Sequence, residues 1–305
     1  MSFSTPGGPA HSSTNAAASG YNNSQYIQGR WRVPALGCKG NQMYRSLKSS
    51  LDRLFIRFFK WMNSAPFIIK NRWVIRLFSY IAFTPEVKVR GVKIKCFIPI
   101  DAIGVFDTIR AWETREKMTL DWLDSIGTDD YVIDVGASFG NEYLYLMLKK
   151  SRPKKVVSFD IDFRSANYFG LNCKLNNLEN NLYFVALTDG SNKFLSFSYA
   201  ADKFAVKGWD KYARVSCNVP TSTLDEMADI FGVPNYLKID VDGGELNVLR
   251  GASRLLANPR LKSILIEVEK ALKKDVFKII TTGNGFKCVG EETLSDQCSN
   301  YIFER

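Results

Sequence analysis

Three short stretches carry the residues that could do chemistry. The first, Tyr131 to Gly140, reads Y-V-I-D-V-G-A-S-F-G and places a carboxylate, Asp134, just before Gly136 and Gly140. Glycines in such a turn allow backbone angles closed to other residues and let a ligand approach the main chain. The second, K-K-V-V-S-F-D-I-D, ends an apolar run on Asp160 and Asp162. An acid after the second strand of a doubly wound fold stands where a ribose is gripped by its hydroxyls. The third, N-Y-L-K-I-D-V-D-G-G-E-L-N-V-L-R-G-A, ends an apolar run on Asp240, with Asp242 and Glu245 just beyond. A carboxylate beside a hydroxylated substrate can take its proton. Asp240 is the first choice for that role, Asp242 and Glu245 follow, and Glu267 comes third. Lys238 reads as pointing away from Asp240 and as structural. No metal is expected, since Asp240 and Asp242 lack the further clustered ligands that Mg²⁺ needs.

These residues have to be positioned by strands and helices in alternation. Val132, Ile133 and Val135 fit a strand buried on both faces. Tyr143, Leu144, Met147 and Leu148 fall on one face of the helix that follows. Farther on, the pattern predicts strands at 131–135, 155–160, 181–186, 235–240, 261–268, 285–290 and 299–304. Helices are predicted near 140–150, 163–177, 223–231, 244–256 and 270–282. Alternation of this kind argues for a parallel-rich sheet covered on both faces, with the last two strands as an antiparallel hairpin at its edge. An insertion at 193–219 predicts an extra hairpin. Residues 86–101 alternate Val/Ile with Lys/Arg around Gly91, which predicts a half-exposed hairpin with Lys88, Arg90, Lys93 and Lys95 on its solvated face. Between Phe106 and Ile126 a helix is expected toward the end, packing Leu120, Trp122 and Leu123 on the sheet, with Arg110 and Glu116 just before it.

Together the residues resemble the FkbM family of S-adenosylmethionine-dependent methyltransferases. The resemblance is carried by D-V-G-A-S-F-G (Asp134 to Gly140), F-D-I (Phe159 to Ile161) and L-K-I-D-V-D-G-G-E-L-N-V-L-R-G-A (Leu237 to Ala252). Weaker matches are R-x-x-x-T-R-E (Arg110 to Glu116), F-V-A-L-T-D (Phe184 to Asp189), L-I-E-V (Leu265 to Val268) and N-Y-I-F (Asn300 to Phe303). Lys117 stands where relatives often carry proline. The resemblance implies an α/β fold with a Rossmann-like class I methyltransferase sheet, mostly parallel with an antiparallel edge hairpin. It implies S-adenosylmethionine as cofactor, held by Asp134, Gly136, Ala137, Ser138, Gly140 and Asn141 at the methionine half. Asp160 would take the ribose, Ile161 would line the adenine, Ala186, Leu187 and Asp189 would close over the base, and Glu116 would stand beside the cofactor. The implied acceptor is a hydroxyl on a sugar, glycan or small metabolite.

Composition narrows the alternatives. The chain has 305 residues, 46% of them hydrophobic, enough for a full core. Its net charge of +10 is uneven: residues 1–100 hold 15 Lys/Arg against 2 Asp/Glu, and the remainder 26 against 29. The catalytic region is therefore slightly acidic, which counts against a nucleic-acid groove across it. Six cysteines without a C-x-x-C pair read as reduced thiols in a cytoplasmic setting, and the single histidine, His11, leaves no histidine base or metal site.

Three domains are expected. Residues 1–42, rich in Ser, Gly, Asn and Ala, read as a disordered leader, 43–83 as a basic amphipathic helical segment, and 84–305 as the methyltransferase domain with its amino-terminal hairpin. In 43–83 aromatic and aliphatic residues oppose Lys/Arg, and no apolar run approaches the roughly 20 residues that span a bilayer. The segment reads either as an interfacial helix peripheral to an anionic membrane or as one packed on the domain or a partner. Two rivals to an active methyltransferase remain. A nicotinamide-dependent dehydrogenase needs a second glycine where Ala137 and Ser138 stand; a catalytically inactive, membrane-associated binding protein would keep the fold alone.

Overall fold

The computed structural model describes residues 84–97, 103–200 and 214–305. The described residues all lie within one compact unit, Leu77–Arg305. The expected leader at 1–42 and basic helical segment at 43–83 lie outside the described residues. Among the described residues no helix is long and apolar enough to cross a membrane.

Seven strands form the central sheet. In chain order they are β3 (Tyr131–Val135), β4 (Lys155–Asp160), β5 (Leu182–Phe184), β9 (Tyr236–Ile239), β10 (Ser263–Glu269), β11 (Lys287–Thr293) and β12 (Cys298–Glu304). Their spatial order is β11-β12-β10-β9-β3-β4-β5. β10, β9, β3, β4 and β5 run parallel, and β12 pairs antiparallel with both β10 and β11. From β3 the chain winds outward through β4 to β5, then returns to β9 on the other side of β3. The sheet therefore has a topological switch point between β3 and β9, where open α/β sheets bind ligands beyond the strands' carboxyl ends.

Strict alternation along the strands feeds two cores. Ile133, Val135, Leu237, Ile239, Ile264 and Ile266 face one side with Val248, Leu249, Val276 and Ile280. These come from helices α6 (Glu245–Arg250) and α8 (Lys273–Thr281). Val132, Val156 and Leu265 face the other side with Leu120, Leu123, Tyr143, Leu144 and Phe169. Those belong to α2 (Lys117–Ser125), α3 (Asn141–Leu148) and α4 (Phe163–Leu175). Val87, Val89, Ile94 and Trp112 join this second core from β1 (Glu86–Val89), β2 (Val92–Lys95) and α1 (Ile103–Arg115). Trp122 is buried as expected, and its Nε1 donates to Ser263 Oγ at 2.8 Å, tying α2 to β10.

Several boundaries depart from expectation. Residues before Glu116 are helical from Ile103, so Arg110 lies inside α1 and Glu116 at the junction of two helices. The strand expected at 181–186 splits: β6 (Ala186–Leu187) leaves the main sheet and pairs parallel with β8 (Arg214–Ser222). β8 in turn pairs antiparallel with β7 (Phe194–Ala200), so the insertion is a hairpin as anticipated. The helix expected at 244–256 breaks into α6 and α7 (Ser253–Ala257) around Gly251. A Cβ on Gly251 would lie 2.0 Å from the Thr188 carbonyl oxygen, so the break accommodates the strand end that follows β6. α5 (Leu224–Phe231) opens on a capping box between Thr223 and Glu226.

Arg90 is the one basic residue of the β1–β2 hairpin that does not belong to a solvated face. At φ 47° it turns back onto α2, pairing with Asp121 and Asp124 at 2.6 Å each and donating to the Lys117 carbonyl. A surface lysine gains little from such contacts, whereas a guanidinium can serve several acceptors at once.

The indole bond gives a stability test. Ser263→Ala leaves a buried Trp122 N–H without its partner, so chemical denaturation should show a loss of about 1–3 kcal/mol; a loss near zero would mean the bond does not hold α2 to the sheet.

Candidate active site

The carboxyl ends of β3, β4, β9 and β10 bring the sequence-predicted acids to one rim. Register puts Asp134 of β3 opposite Lys238 of β9, and Lys238 opposite Leu265 of β10. Continuing that register past the strand end sets Glu267 beside Asp240. Asp134, Lys238, Asp240 and Glu267 thus share the sheet face covered by α1, α2 and α3.

The expectation that Lys238 points away from Asp240 is incorrect. Residues two apart in a strand project to the same face. The Lys238 ammonium lies 3.2 Å from Asp240 Oδ2, 3.4 Å from Glu142 Oε1 and 3.6 Å from Asp134 Oδ1. Its side chain is 6% exposed. Burial opposes its charge, but Glu142, Asp240 and Asp134 together more than offset that and hold its pKa well above the ordinary lysine value.

The carboxylates around it respond to burial and to one another. Asp134 is pushed up to about 7, by burial first, with Lys238 opposing and Glu142, Asp240 and Asp160 adding to the rise. Glu116 also rises to about 7, through burial and then Glu142, with Lys238 opposing. Glu267 reaches about 7 through burial and Asp240, opposed by its hydrogen bond from Cys298 Sγ at 3.0 Å. One ammonium cannot neutralise so many acids, so some of them keep protons into the neutral range.

The glycine turn is built differently from the sequence expectation. Gly136 and Gly140 do adopt positive φ, 85° and 87°. The close approaches, however, are made by protein. A Cβ on Gly136 would sit 1.6 Å from the Asp240 carbonyl oxygen, and one on Gly140 would enter the Phe169 ring at 2.6 Å. The Gly136 and Ala137 amides both donate to the Phe159 carbonyl, and the Ser138 amide donates to Asp160 Oδ2 at 2.6 Å. These three amides are therefore engaged within the protein. The first-turn amides of α3, beginning at Asn141, have no intrahelical acceptors and remain suited to an anion.

Asp160 accepts from Ser138 and Asp162 amides, which lower its pKa against the larger, raising effect of burial. Its oxygens have lone pairs left for hydroxyls. Ile161 is half-buried beside it. Ala186 and Leu187 are buried, and Leu187 packs in the core with Val248 and Leu249. Asp242 is exposed with φ 51°, and Glu245 is buried, its Oε1 accepting from the Gly243 amide. Those two shape the turn after β9. Among the described residues no group of three His, Cys, Asp or Glu side chains is arranged to hold a metal ion.

Glu116 is held at the rim by more than its own helix. Asn300 Nδ2 donates to Thr119 Oγ1 at 3.1 Å, the Met118 amide donates to Glu292, and Arg90 grips α2 from the other side. Glu142 is missing from the sequence expectations; it follows Asn141 directly, in the first turn of α3.

A parallel-rich sheet with an acid-lined rim at its switch point defines a Rossmann-like α/β architecture. Residues 134–288 match the methyltransferase FkbM domain, half of the chain, and the chain belongs to that family of S-adenosylmethionine-dependent methyltransferases. No curated protein sequence matches. Among solved structures, an FkbM methyltransferase from Methylobacillus flagellatus superposes with a TM-score of 0.39 at 16% identity. The match covers 57% of this chain, which spans only 43% of that one. A ribosomal protein L11 methylase from Lactobacillus delbrueckii subsp. bulgaricus gives 0.39 at 12% identity, over 63% of this chain and 79% of that one. M. jannaschii TYW2 in complex with AdoMet gives 0.38 at 14%, over 73% and 86%. The family assignment rests on the sequence match.

The rim fits the family's cofactor. Asp134 Oδ1 and Asn141 Oδ1 are buried and accept no hydrogen bond among the described residues. An unsatisfied buried acceptor costs about 1–3 kcal/mol; Asp134 Oδ1 has only the Lys238 ammonium, at 3.6 Å, and the ammonium of S-adenosylmethionine would give both oxygens a hydrogen-bond donor.

A pH test follows. In the unliganded protein Asp134, Glu116 and Glu267 hold protons in the folded state that the unfolded chain has already lost. Their stabilising contribution is present in acid and is lost as pH rises through about 7. Thermal melts of the unliganded protein should therefore show the midpoint falling between about pH 4 and about pH 7, and Asp134→Asn should flatten that fall. A flat wild-type profile would contradict the charge arrangement.

Proposed function

We propose that this chain O-methylates a hydroxyl of a sugar, glycan or other small metabolite, with Asp240 taking the hydroxyl proton. The carrying observation is the openness of Asp240. Its side chain is 37% exposed, against 2% for Asp134 and 13% for Glu142 at the same ammonium. Of these three, Asp240 is the one an acceptor can reach.

When bound, S-adenosylmethionine supplies an electrophilic methyl group on a positively charged sulfur. Asp134, Asn141 and the first-turn amides of α3 would hold its amino-acid end, and Asp160 its ribose. Holding an acceptor oxygen in line accounts for most of the rate such a site can give, and a carboxylate that removes the proton adds about 10²- to 10⁴-fold. The carboxylates of Asp240 and Glu267 favour a neutral or cationic acceptor over a polyanion, which supports a hydroxylated metabolite over nucleic acid.

The purified protein, incubated with S-adenosylmethionine and a panel of glycans and polyols, should yield products heavier by one CH₂ group. Asp240→Asn should lower kcat by about 10²- to 10⁴-fold while calorimetry shows cofactor affinity changed by less than about threefold. Binding of NAD in place of S-adenosylmethionine, or a full rate from Asp240→Asn, would sink the proposal.

A further inference from the structure

We propose that Lys238 is a positioning residue that couples the cofactor-side carboxylates Asp134 and Glu142 to the acceptor-side carboxylate Asp240. This rests on the methyl-transfer reading above. The three acids come from three places, β3, the first turn of α3 and the residue after β9, and the Lys238 ammonium lies within 3.6 Å of each. Two more acids face the same ammonium electrostatically: Glu116 from the α1–α2 junction and Glu267 from β10. Arg115 also acts on Glu116, and Asp160 on Asp134.

A buried ammonium is expensive unless it is paired, and replacing it alone by an apolar side chain leaves its carboxylate partners unpaired. Removing the ammonium while leaving Asp134, Glu142, Glu116 and Glu267 in place would make every carboxylate at the rim harder to ionise. Asp240 would then lose its ion-pair partner and the contact that fixes its rotamer. The ammonium also has a geometric role. Asp240 lies beyond the last residue of β9, held by its amide to the Val135 carbonyl at 2.9 Å. Its carboxylate is open to solvent on one side, and Lys238 is the ion-pair partner that sets its direction.

The test compares Lys238→Met and Lys238→Arg with the wild type. Lys238→Met should move the acidic limb of the kcat profile up by about one pH unit or more, and so lower kcat about tenfold or more at pH values below the limb. Acceptor KM should change less than about threefold. Lys238→Arg, which keeps the charge, should leave the limb within about half a unit of the wild type. Should Lys238→Met not fold, Glu142→Gln/Lys238→Met removes one carboxylate with the ammonium and is read in its place, with the same upward movement expected. A limb unmoved in the folded charge-free variant overturns the inference, since loss of packing alone slows the enzyme without moving its pH dependence. Cofactor calorimetry on the same proteins separates the two proposals. A wild type that binds no S-adenosylmethionine refutes the methyl-transfer reading; a wild type that binds and turns over beside an unmoved variant refutes only the role of Lys238.

Discussion

One buried positive charge among several carboxylates is the constraint around which this rim is built. Each acid alone would be costly at that depth, and so would the lysine. Together they are tolerable because the sheet and the first turn of α3 bring them into contact at one rim. Asp134 and Lys238 are opposite one another in paired strands, and Asp240 stands just past the end of β9, two residues after Lys238. No loop has to find its way to the ammonium except at Asp240, and there the backbone is fastened to Val135. The remaining imbalance is negative, which suits a site whose ligand carries a sulfonium.

The surrounding elements act as supports for that geometry. The two strand ends at the switch point approach so closely that only glycine fits at position 136. The ring of Phe169 closes on Gly140 from α4, and Phe139 stacks on Tyr168 with centroids 5.4 Å apart. On the opposite wall, α2 is tied to β12 by Asn300, to β10 by Trp122 and to the β1–β2 turn by Arg90. Glu116 sits at the start of α2, so these ties, distant in sequence, fix where one of the rim acids stands.

Much of this was legible in the sequence because a parallel sheet writes its strands as apolar runs. β3 and β4 were placed to the residue, and the edge hairpin of β11 and β12 followed from two strands without a helix between them. The acids at the strand ends were visible for the same reason. What was hidden depended on contacts across the sheet. Lys238 stands beside Asp240, not away from it, because of the two-residue period of a strand, a signal present in L-K-I-D itself. Gly136 reads the same whether a ligand or the Asp240 carbonyl lies against it, and only the packing of β9 on β3 distinguishes them. The split of α6 from α7 depends on Thr188, sixty-odd residues upstream (a separation of roughly this size is outside any local pattern). Arg90 carried the pattern of a solvated strand, and its ion pairs with α2 have no local signature.

The β7–β8 hairpin has a consequence of its own. It begins at Phe194, a short turn after β6 ends at Leu187, and returns through β8, whose far end pairs with that same β6. Both anchors of the insertion are thus clamped in a small sheet of their own, and the seven-stranded sheet is indifferent to how long the excursion is. Lengthening a loop with fixed ends changes its closure entropy only slowly. Relatives could therefore exchange this excursion as a cassette, diversifying what it touches while the carboxylate rim stays untouched.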